Sequence, residues 1–354
     1  MKKTRVAVLF GGMSSEHAVS LVSASSVIAN IPRERFEVLM VGITRNGEWL
    51  LYSGDVGKIA DSSWEKDAGN RSAFISPDSS VHGIVVLSPD RPVETIRVDV
   101  VFPVLHGLYG EDGTVQGLLT LARIPFVGCQ VAASAVCMDK AITKALCDAY
   151  QIPQAKWDAV RMTDLKDDAK AIVERLEKHL GYPMFVKPAN AGSSVGITKA
   201  VDRETLYQAI ELAAAHDHKL VFEESVSGRE IECAVLGNEE PVASCCGEIK
   251  PCNEFYDYNA KYLAGRTELV IPAELPKETT ERVRQTAVRA FRLLGCRGMT
   301  RMDFFVCADG TVLLNEPNTI PGFTSISMYP KLFEATGTTY GDLLESLLRL
   351  AMEG

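Results

Sequence analysis

The chain has 354 residues, with 37 Lys+Arg against 46 Asp+Glu for a net charge of −9, and it is 46% hydrophobic and 23% charged. That is ordinary globular composition, too apolar for disorder and long enough, at ~150 residues per domain, for two or three domains. An acidic chain without a basic block is poorly suited to gripping nucleic acid or docking on an anionic membrane, so neither partner is expected, although local lysines can still hold a small anion.

No apolar run approaches the ~18 residues of a membrane span. The start, Met1-Lys2-Lys3-Thr4-Arg5 before Val6 to Phe10, imitates a signal peptide. Its apolar part is too short, and Gly11 to Glu16 offers no small-x-small cleavage site, so a first strand is the better reading. The nine cysteines, at 129, 137, 147, 233, 245, 246, 252, 296 and 307, make no C-x-x-C pair. Reduced, mostly buried thiols in a cytoplasmic protein are expected.

Strand-like and helix-like runs alternate, which predicts an α/β architecture. Arg5–Phe10 reads as a strand, followed by a helix capped by Ser14 or Ser15 and ending near Asn30. Phe36–Thr44 and Val98–Leu105 read as buried strands, while 53–97 is loop-rich apart from the apolar Ile84–Leu87. Ala132–Tyr150 reads as one helix ended by Ile152-Pro153, followed by helices at Asp164–Leu180 and Asp202–His216. Between those two helices, Pro183–Ala189 and Gly196–Ala200 read as strands around a Gly/Ser-rich turn, and Lys219–Ser225, Glu230–Leu236 and Pro241–Glu248 as further strands. Residues 250–268 form a polar, aromatic loop. Pro276–Leu294 is an amphipathic helix with Val283, Ala287, Ala290, Phe291 and Leu294 on one face. A hairpin, a Pro/Gly/Ser-rich loop at 317–327 and a last helix near Gly341–Met352 complete the chain.

The hairpin Met299–Asn318 carries the sharpest chemical signal. Asp309-Gly310 suits a two-residue turn. Pairing 308 with 311 then puts Asp303 opposite Glu316 and Arg301 opposite Asn318, all on one face. A loop of odd length would break that register. Facing carboxylates repel, and a divalent cation held by Asp, Glu and Asn oxygens removes the penalty. A solvated sheet face with Arg301 as counter-ion accounts for the same pattern.

Four other segments carry weaker signals. Phe185 to Gly196 delivers Lys187 from a strand into a small-residue loop whose backbone N–H groups could approach phosphate oxygens, or which is a plain turn. It is not a Walker P-loop, and Gly11-Gly12 is not a dinucleotide fingerprint. Phe222 to Glu230 is an apolar strand ending in carboxylates, suited to adenine and ribose or simply solvated. Phe255 to Tyr262 gathers tyrosines in a loop, for function or for pinning the loop down. Leu105 to Gly113 is a glycine-studded loop at a strand's C-terminal end, where open α/β sheets bind ligands.

Together these stretches resemble the D-alanine–D-alanine ligases of the ATP-grasp superfamily. The resemblance rests on seven ordered motifs: Gly11-Gly12 with Ser15-Glu16; His106-Gly107 with Glu111-Asp112-Gly113; Met138-Asp139-Lys140; Lys187-Pro188 with Gly192-Ser193-Ser194-Val195-Gly196; Tyr256-Asp257-Tyr258 with Lys261-Tyr262; Arg301-Met302-Asp303; and Asn315 to Thr319 with Pro321 to Ser325. It implies an ATP-grasp fold with an N-terminal Rossmann-like parallel-sheet domain at 1–136 that binds the first D-alanine. A central ATP-grasp subdomain at 137–222 would follow. A C-terminal one at 223–354 would carry the metal site and a closing loop, 250–262.

It also implies roles. Lys140 and Lys187 would hold ATP phosphates, Ser194 would belong to the ATP site, and Glu223, Val226 and Glu230 would hold adenine and ribose. Asp303, Glu316 and Asn318 would hold two Mg²⁺ ions, with Mn²⁺ able to substitute. Arg301 and the N–H of Gly322 would face the transferred phosphate and the oxyanion, and Glu16 the first substrate's ammonium from the first turn of its helix. Ser193 and Tyr262 would bond with Glu16 to close the loop, Lys261 would reach the phosphate, and His106 would lie beside the first substrate. Ser327 and the backbone of Met328 would bind the second substrate's carboxylate. Met328 and Pro317 stand where the family usually has Leu and Ala, and neither change removes a polar group.

The intact Lys261-Tyr262 pair argues against D-lactate as second substrate. D-serine ligases can keep that pair, and Gly42-Ile43-Thr44 with Gly47-Glu48-Trp49 resembles some of them. D-alanine is the expected choice, with D-serine ligation of the vancomycin-resistance type, or a non-catalytic nucleotide sensor, as alternatives. The family's homodimeric assembly is expected with it.

Overall fold

Val6 to Phe10 is an unbroken apolar run, as a strand buried on both faces requires. The structure, a computed structural model, describes residues 2–192, 195–250, 268–324 and 326–353, and among them the strands form three sheets. The first contains β1 (Thr4–Gly11), β2 (Phe36–Ile43), β3 (Trp49–Tyr52), β4 (Arg71–Ile75), β5 (Gly83–Ser88), β6 (Arg91–Arg97) and β7 (Val100–Val104), in the order β6-β5-β4-β3-β2-β1-β7. Helices α1 (His17–Asn30) and α2 (Gly57–Ala60) lie within this stretch.

This sheet departs from the expected parallel one. Only the β1 pairings with β2 and β7 are parallel; from β2 to β6 every neighbour is antiparallel. The span 53–97, expected to be loop-rich, supplies β4, β5 and β6. These strands are linked without the long crossover that parallel pairing needs, so they meander. β6 is almost wholly exposed, a charged edge strand with no buried apolar face to mark it in the sequence.

Helices α3 (Thr114–Leu121), α4 (Val131–Met138) and α5 (Lys140–Ala149) lead to the second sheet. The single helix expected over 132–150 is broken at Asp139. That residue is extended, and its carboxylate accepts the N–H groups of Ala141 and Ile142 at 3.1 Å each, so a new N-terminus starts at Lys140. The second sheet comprises β8 (Trp157–Arg161), β9 (Met184–Pro188), β10 (Thr198–Ala200) and β11 (Lys219–Glu224), all antiparallel in the order β10-β9-β11-β8. Helix α6 (Met162–Leu180) follows β8, and α7 (Arg203–Ala214), started by an Asp202–Thr205 capping box, precedes β11. α4 crosses residues 136 and 137, and β11 runs past residue 222.

The third sheet comprises β12 (Arg229–Gly237), β13 (Val242–Lys250), β14 (Glu268–Val270), β15 (Gly298–Val306) and β16 (Val312–Asn318), in the order β14-β13-β12-β15-β16. Helix α8 (Lys277–Leu293) covers it with the predicted stripe of Val283, Ala287, Ala290 and Phe291. Helices α9 (Met328–Glu334) and α10 (Tyr340–Met352) end the chain. α10 packs back on the first sheet's layer: Leu343, Leu344, Leu347 and Leu348 share one core with Val6, Val8, Phe10, Val27 and Ile28, and Ser26 Oγ meets Tyr340 Oη at 3.1 Å. The chain's two ends therefore stabilise each other. Leu344→Ala and Leu347→Ala should each cost about 2–5 kcal/mol in urea unfolding, the range for emptying a fully buried leucine.

Candidate functional site

Arg301 pairs with Asn318 and Asp303 with Glu316, the predicted register. The route to it is different. The turn is a three-residue loop, 308–310, closed by Cys307 N–H to Thr311 O and Gly310 N–H to Cys307 O, both 2.9 Å, with Gly310 at φ +83°. Val306 therefore faces Val312 and Phe304 faces Leu314, one residue off the expected pairing. Asn315 is then left unpaired as a bulge, which restores the register before Glu316. The bulge places Asn315 in the wall of a cleft that Glu316 and Pro317 also line.

Glu232 of β12 sits directly beside Asp303, so Glu232, Asp303 and Glu316 form one row across three strands. Arg301, one row away, answers this charge. Its Nε and Nη2 donate to Asp303 Oδ1 and Oδ2 at 2.7 Å each, and Nε lies 3.1 Å from Glu232 Oε2. Burial opposes the guanidinium's charge, but Asp303 and Glu232 outweigh it and hold the group firmly protonated.

The sites expected for metal fit a hard cation in their chemistry. Asp303 and Glu316 supply two carboxylates. The Asn318 amide, oriented to satisfy its neighbours, donates from its nitrogen to Glu111 Oε1 at 3.2 Å and so leaves its oxygen to ligate a cation. Among the described residues no three His, Cys, Asp or Glu side chains converge as a ready-made metal cage. Two carboxylates and an amide suit Mg²⁺, which retains water and takes substrate phosphates as ligands.

Opposite this row, β9 and α5 bring lysines to the same cleft, lined by Lys140, Lys144, Lys187, Glu223 and Glu316 among others. It encloses about 10 Å³, room for roughly one water. Lys140 Nζ donates to Ala191 O at 2.7 Å, and its N–H to Ala189 O at 3.0 Å, docking the start of α5 on the loop after Lys187. Asn190 is fixed in turn by its N–H and Nδ2 to Asp217 Oδ2, at 2.8 and 2.9 Å. Glu223 lies at the cleft floor, Oε2 3.0 Å from Lys187 Nζ and 3.5 Å from Lys144 Nζ. Burial alone would push this carboxylate up; the two lysines outweigh it and bring it down to about 2. Its charge is thus committed to lysines. Val226 and Glu230, expected beside it for adenine and ribose, are half-buried.

Glu16 precedes α1 as its N-cap residue rather than standing in the first turn, and its side chain does not cap the helix. Ser14 Oγ instead accepts the Glu16 N–H and donates to His106 O at 2.7 Å, joining the two loops. The Glu16 carboxylate is packed so closely on Gly107 and Gly192 that a Cβ on either would lie 2.4 or 2.6 Å from its Oε2. Gly107 also adopts φ +72°. Both ring nitrogens of His106 are engaged, with Ile320 O at 2.8 Å and Ser23 Oγ at 3.2 Å, and burial pushes its pKa down. Gly322 has Ser327 Oγ 2.8 Å from where a Cβ would be; Ser327 accepts the Thr324 N–H at 3.0 Å at the start of α9, and Met328 is buried beneath Gly247.

Ser193, Ser194, Lys261 and Tyr262 lie outside the described residues, as does most of the expected closing loop. Of the remaining expected residues, Lys140, Lys187, Glu223 and Glu316 line one cleft, and Arg301, Asp303 and Asn318 lie on or beside its acidic row. Sequence reasoning gave no role to Lys144, Glu232 and Glu111. Lys144 could have been found, one helical turn after Lys140; Glu232 could not, since its place beside Asp303 depends on which strand pairs with β15. Glu111 accepts the Gly107 and Ile320 N–H groups at 2.8 Å each, and burial, with Glu16 nearby, pushes it up to about 8.

Glu223 makes a measurable prediction. Its folded pKa lies below the unfolded value, so its stabilisation is complete above about pH 4.5 and fades as pH falls toward 2. Glu223→Gln should lower unfolding free energy at pH 7 by on the order of 3 kcal/mol, with the difference from wild type shrinking across that acid window. A constant difference from pH 7 to pH 3 would contradict it.

The described cysteines are free, and no helix among the described residues is long and apolar enough to cross a membrane. Comparison with known proteins matches residues 5–129 to the D-ala D-ala ligase N-terminus and 146–349 to the D-ala D-ala ligase C-terminus. The D-alanine--D-alanine ligase of Thermoanaerobacter sp. (strain X514) is 52% identical, over 100% of this chain and 98% of that protein. Among solved structures, the VanG D-Ala:D-Ser ligase from Enterococcus faecalis superposes with a TM-score of 0.90 at 40% identity, covering 99% of this chain and 100% of that one. The D-alanine-D-alanine ligase from Coxiella burnetii superposes at 0.87 and 34%, covering 100% and 95%. With both halves matched and relatives alike along the whole length, the chain belongs to the D-alanine–D-alanine ligase family of ATP-grasp enzymes.

Proposed function

We propose that this enzyme joins two D-alanines into D-alanyl-D-alanine for peptidoglycan precursor synthesis, coupled to cleavage of ATP to ADP and phosphate. The observation that carries this is the cleft in which Lys140 and Lys187 face the Glu316 end of an acidic row. That arrangement combines cations for phosphate with oxygens for Mg²⁺. A carboxylate is a poor acylating agent. In this reading one carboxylate oxygen of the first D-alanine attacks the γ-phosphorus, ADP leaves, and the amine of the second D-alanine attacks the acyl carbon. The tetrahedral centre then expels phosphate as the amine loses its proton.

Arg301 and the Gly322 N–H stabilise charge on the phosphoryl group and oxyanion. Glu16 holds the first ammonium, with His106 beside that substrate; Ser327 and the Met328 backbone hold the second carboxylate. Val226, Glu230 and the Glu223 segment hold adenine and ribose, and Ser194 joins the lysines on phosphate. Ser193, Lys261 and Tyr262 close the site. Asp303, Glu316 and Asn318 hold two Mg²⁺ ions, replaceable by Mn²⁺, which when bound neutralise phosphate charge. The domains are taken as 1–136, 137–222 and 223–354, and the enzyme as a cytoplasmic homodimer.

D-serine as second substrate is the competing reading, favoured by the likeness to the E. faecalis D-Ala:D-Ser ligase. D-alanine is preferred because the more similar relatives, at 52% identity, are D-alanine--D-alanine ligases. One extra hydroxyl is poorly rejected by shape alone, so the test must be competitive. Mass spectrometry of products from ATP, Mg²⁺ and equal D-alanine, D-serine and D-lactate should show D-alanyl-D-alanine in excess; dominant mixed product would transfer the assignment. Phosphate release should require both D-alanine and Mg²⁺. Glu316→Gln and Lys187→Ala should each lower turnover by roughly 10²-fold or more with near-UV circular dichroism unchanged.

A further inference from the structure

Lys144 is buried, 3% exposed, on the cleft side of α5. An ammonium carries three donors and no acceptor, and an unsatisfied one is costly to bury. Lys144 Nζ makes no hydrogen bond among the described residues; its ion-pair contact is Glu223 Oε2 at 3.5 Å, beyond good hydrogen-bond length. The same oxygen is 3.0 Å from Lys187 Nζ. One carboxylate oxygen thus serves two ammonium groups and lies at hydrogen-bond distance from only one of them. Lys140 stands four residues before Lys144, so the two side chains leave the same face of α5 toward the same cleft. The cleft's lining charges are Lys140, Lys144 and Lys187 against Glu223 and Glu316, one positive charge in excess.

We propose that Lys144 is a further phosphate-binding lysine of the nucleotide site, held beside Lys187 by Glu223. This rests on the ATP-dependent reading above. The incoming phosphate chain supplies the acceptors that Lys144 Nζ lacks, and Glu223 keeps two like charges side by side until it arrives.

The test compares binding of Mg²⁺–AMP-PNP with binding of adenosine by calorimetry, neither of which requires turnover. Lys144→Met should weaken AMP-PNP at least tenfold and leave adenosine within twofold of wild type; Lys144→Arg should recover most of the loss. Unchanged AMP-PNP affinity would overturn the proposal and leave Lys144 satisfied by a cleft water. Equal loss of both ligands would overturn it in favour of a packing role. Should Lys144→Met not fold, the ¹³Cε signal of Lys144 in labelled wild type, assigned through Lys144→Arg, must shift with AMP-PNP and not with adenosine; no shift refutes the contact. Wild type that binds no AMP-PNP would refute the ATP reading itself, whereas wild-type binding with an indifferent Lys144 refutes only this inference.

Discussion

A β-ladder holds Glu232, Asp303 and Glu316 side by side, and the molecule must answer that charge. Backbone hydrogen bonds set the spacing, so the carboxylates cannot simply move apart. Arg301, buried one row away and forked onto Asp303, answers it from within. The remaining charge faces a cleft where lysines of α5 and β9 stand opposite. Most of the site follows from this arrangement: a fixed acidic face able to hold a cation, and a fixed basic face able to hold the anion that comes with it.

The basic face is itself a solved electrostatic problem. Lys144 and Lys187 are too close and too buried to persist as a bare pair, and Glu223 makes them compatible. The cost of burying a charge is met only when the geometry is good and the remaining donors find acceptors. Lys187 has a Glu223 oxygen at hydrogen-bond distance, whereas Lys144 stands farther from the same oxygen. A binding site differs from a structural ion pair in that respect, because some of its satisfaction is deferred to the ligand.

The loops around Glu16 show how distant segments are made to converge. Gly107 and Gly192 allow backbone to lie against the Glu16 carboxylate, and Ser14 ties that turn to the loop bearing His106. Glu111 then links the His106 loop to Ile320, just beyond β16, through one N–H from each side. The Glu16 turn, the His106 loop and the segment just beyond β16 form one hydrogen-bonded unit because the Ser14 hydroxyl and the Glu111 carboxylate span them.

What could be read from the sequence alone was whatever local chemistry dictates. The apolar run of β1, the stripe on α8, the helix beginning near Asp202 and the pairing of Asp303 with Glu316 follow from side-chain period and turn residues. The last was reached through two departures that cancel, a three-residue turn and a bulge at Asn315, since local turn preference does not reveal a bulge placed further along the strand. Tertiary structure alone decided the rest. The exposed edge strand β6 carries too little apolar pattern to be seen before it pairs; Glu232 joins the acidic row only because β12 lies beside β15; and α10 completes the first sheet's core from the far end of the chain. Sequence reports the period of each element, whereas the neighbours of a strand or helix are set by burial of surfaces that lie hundreds of residues apart.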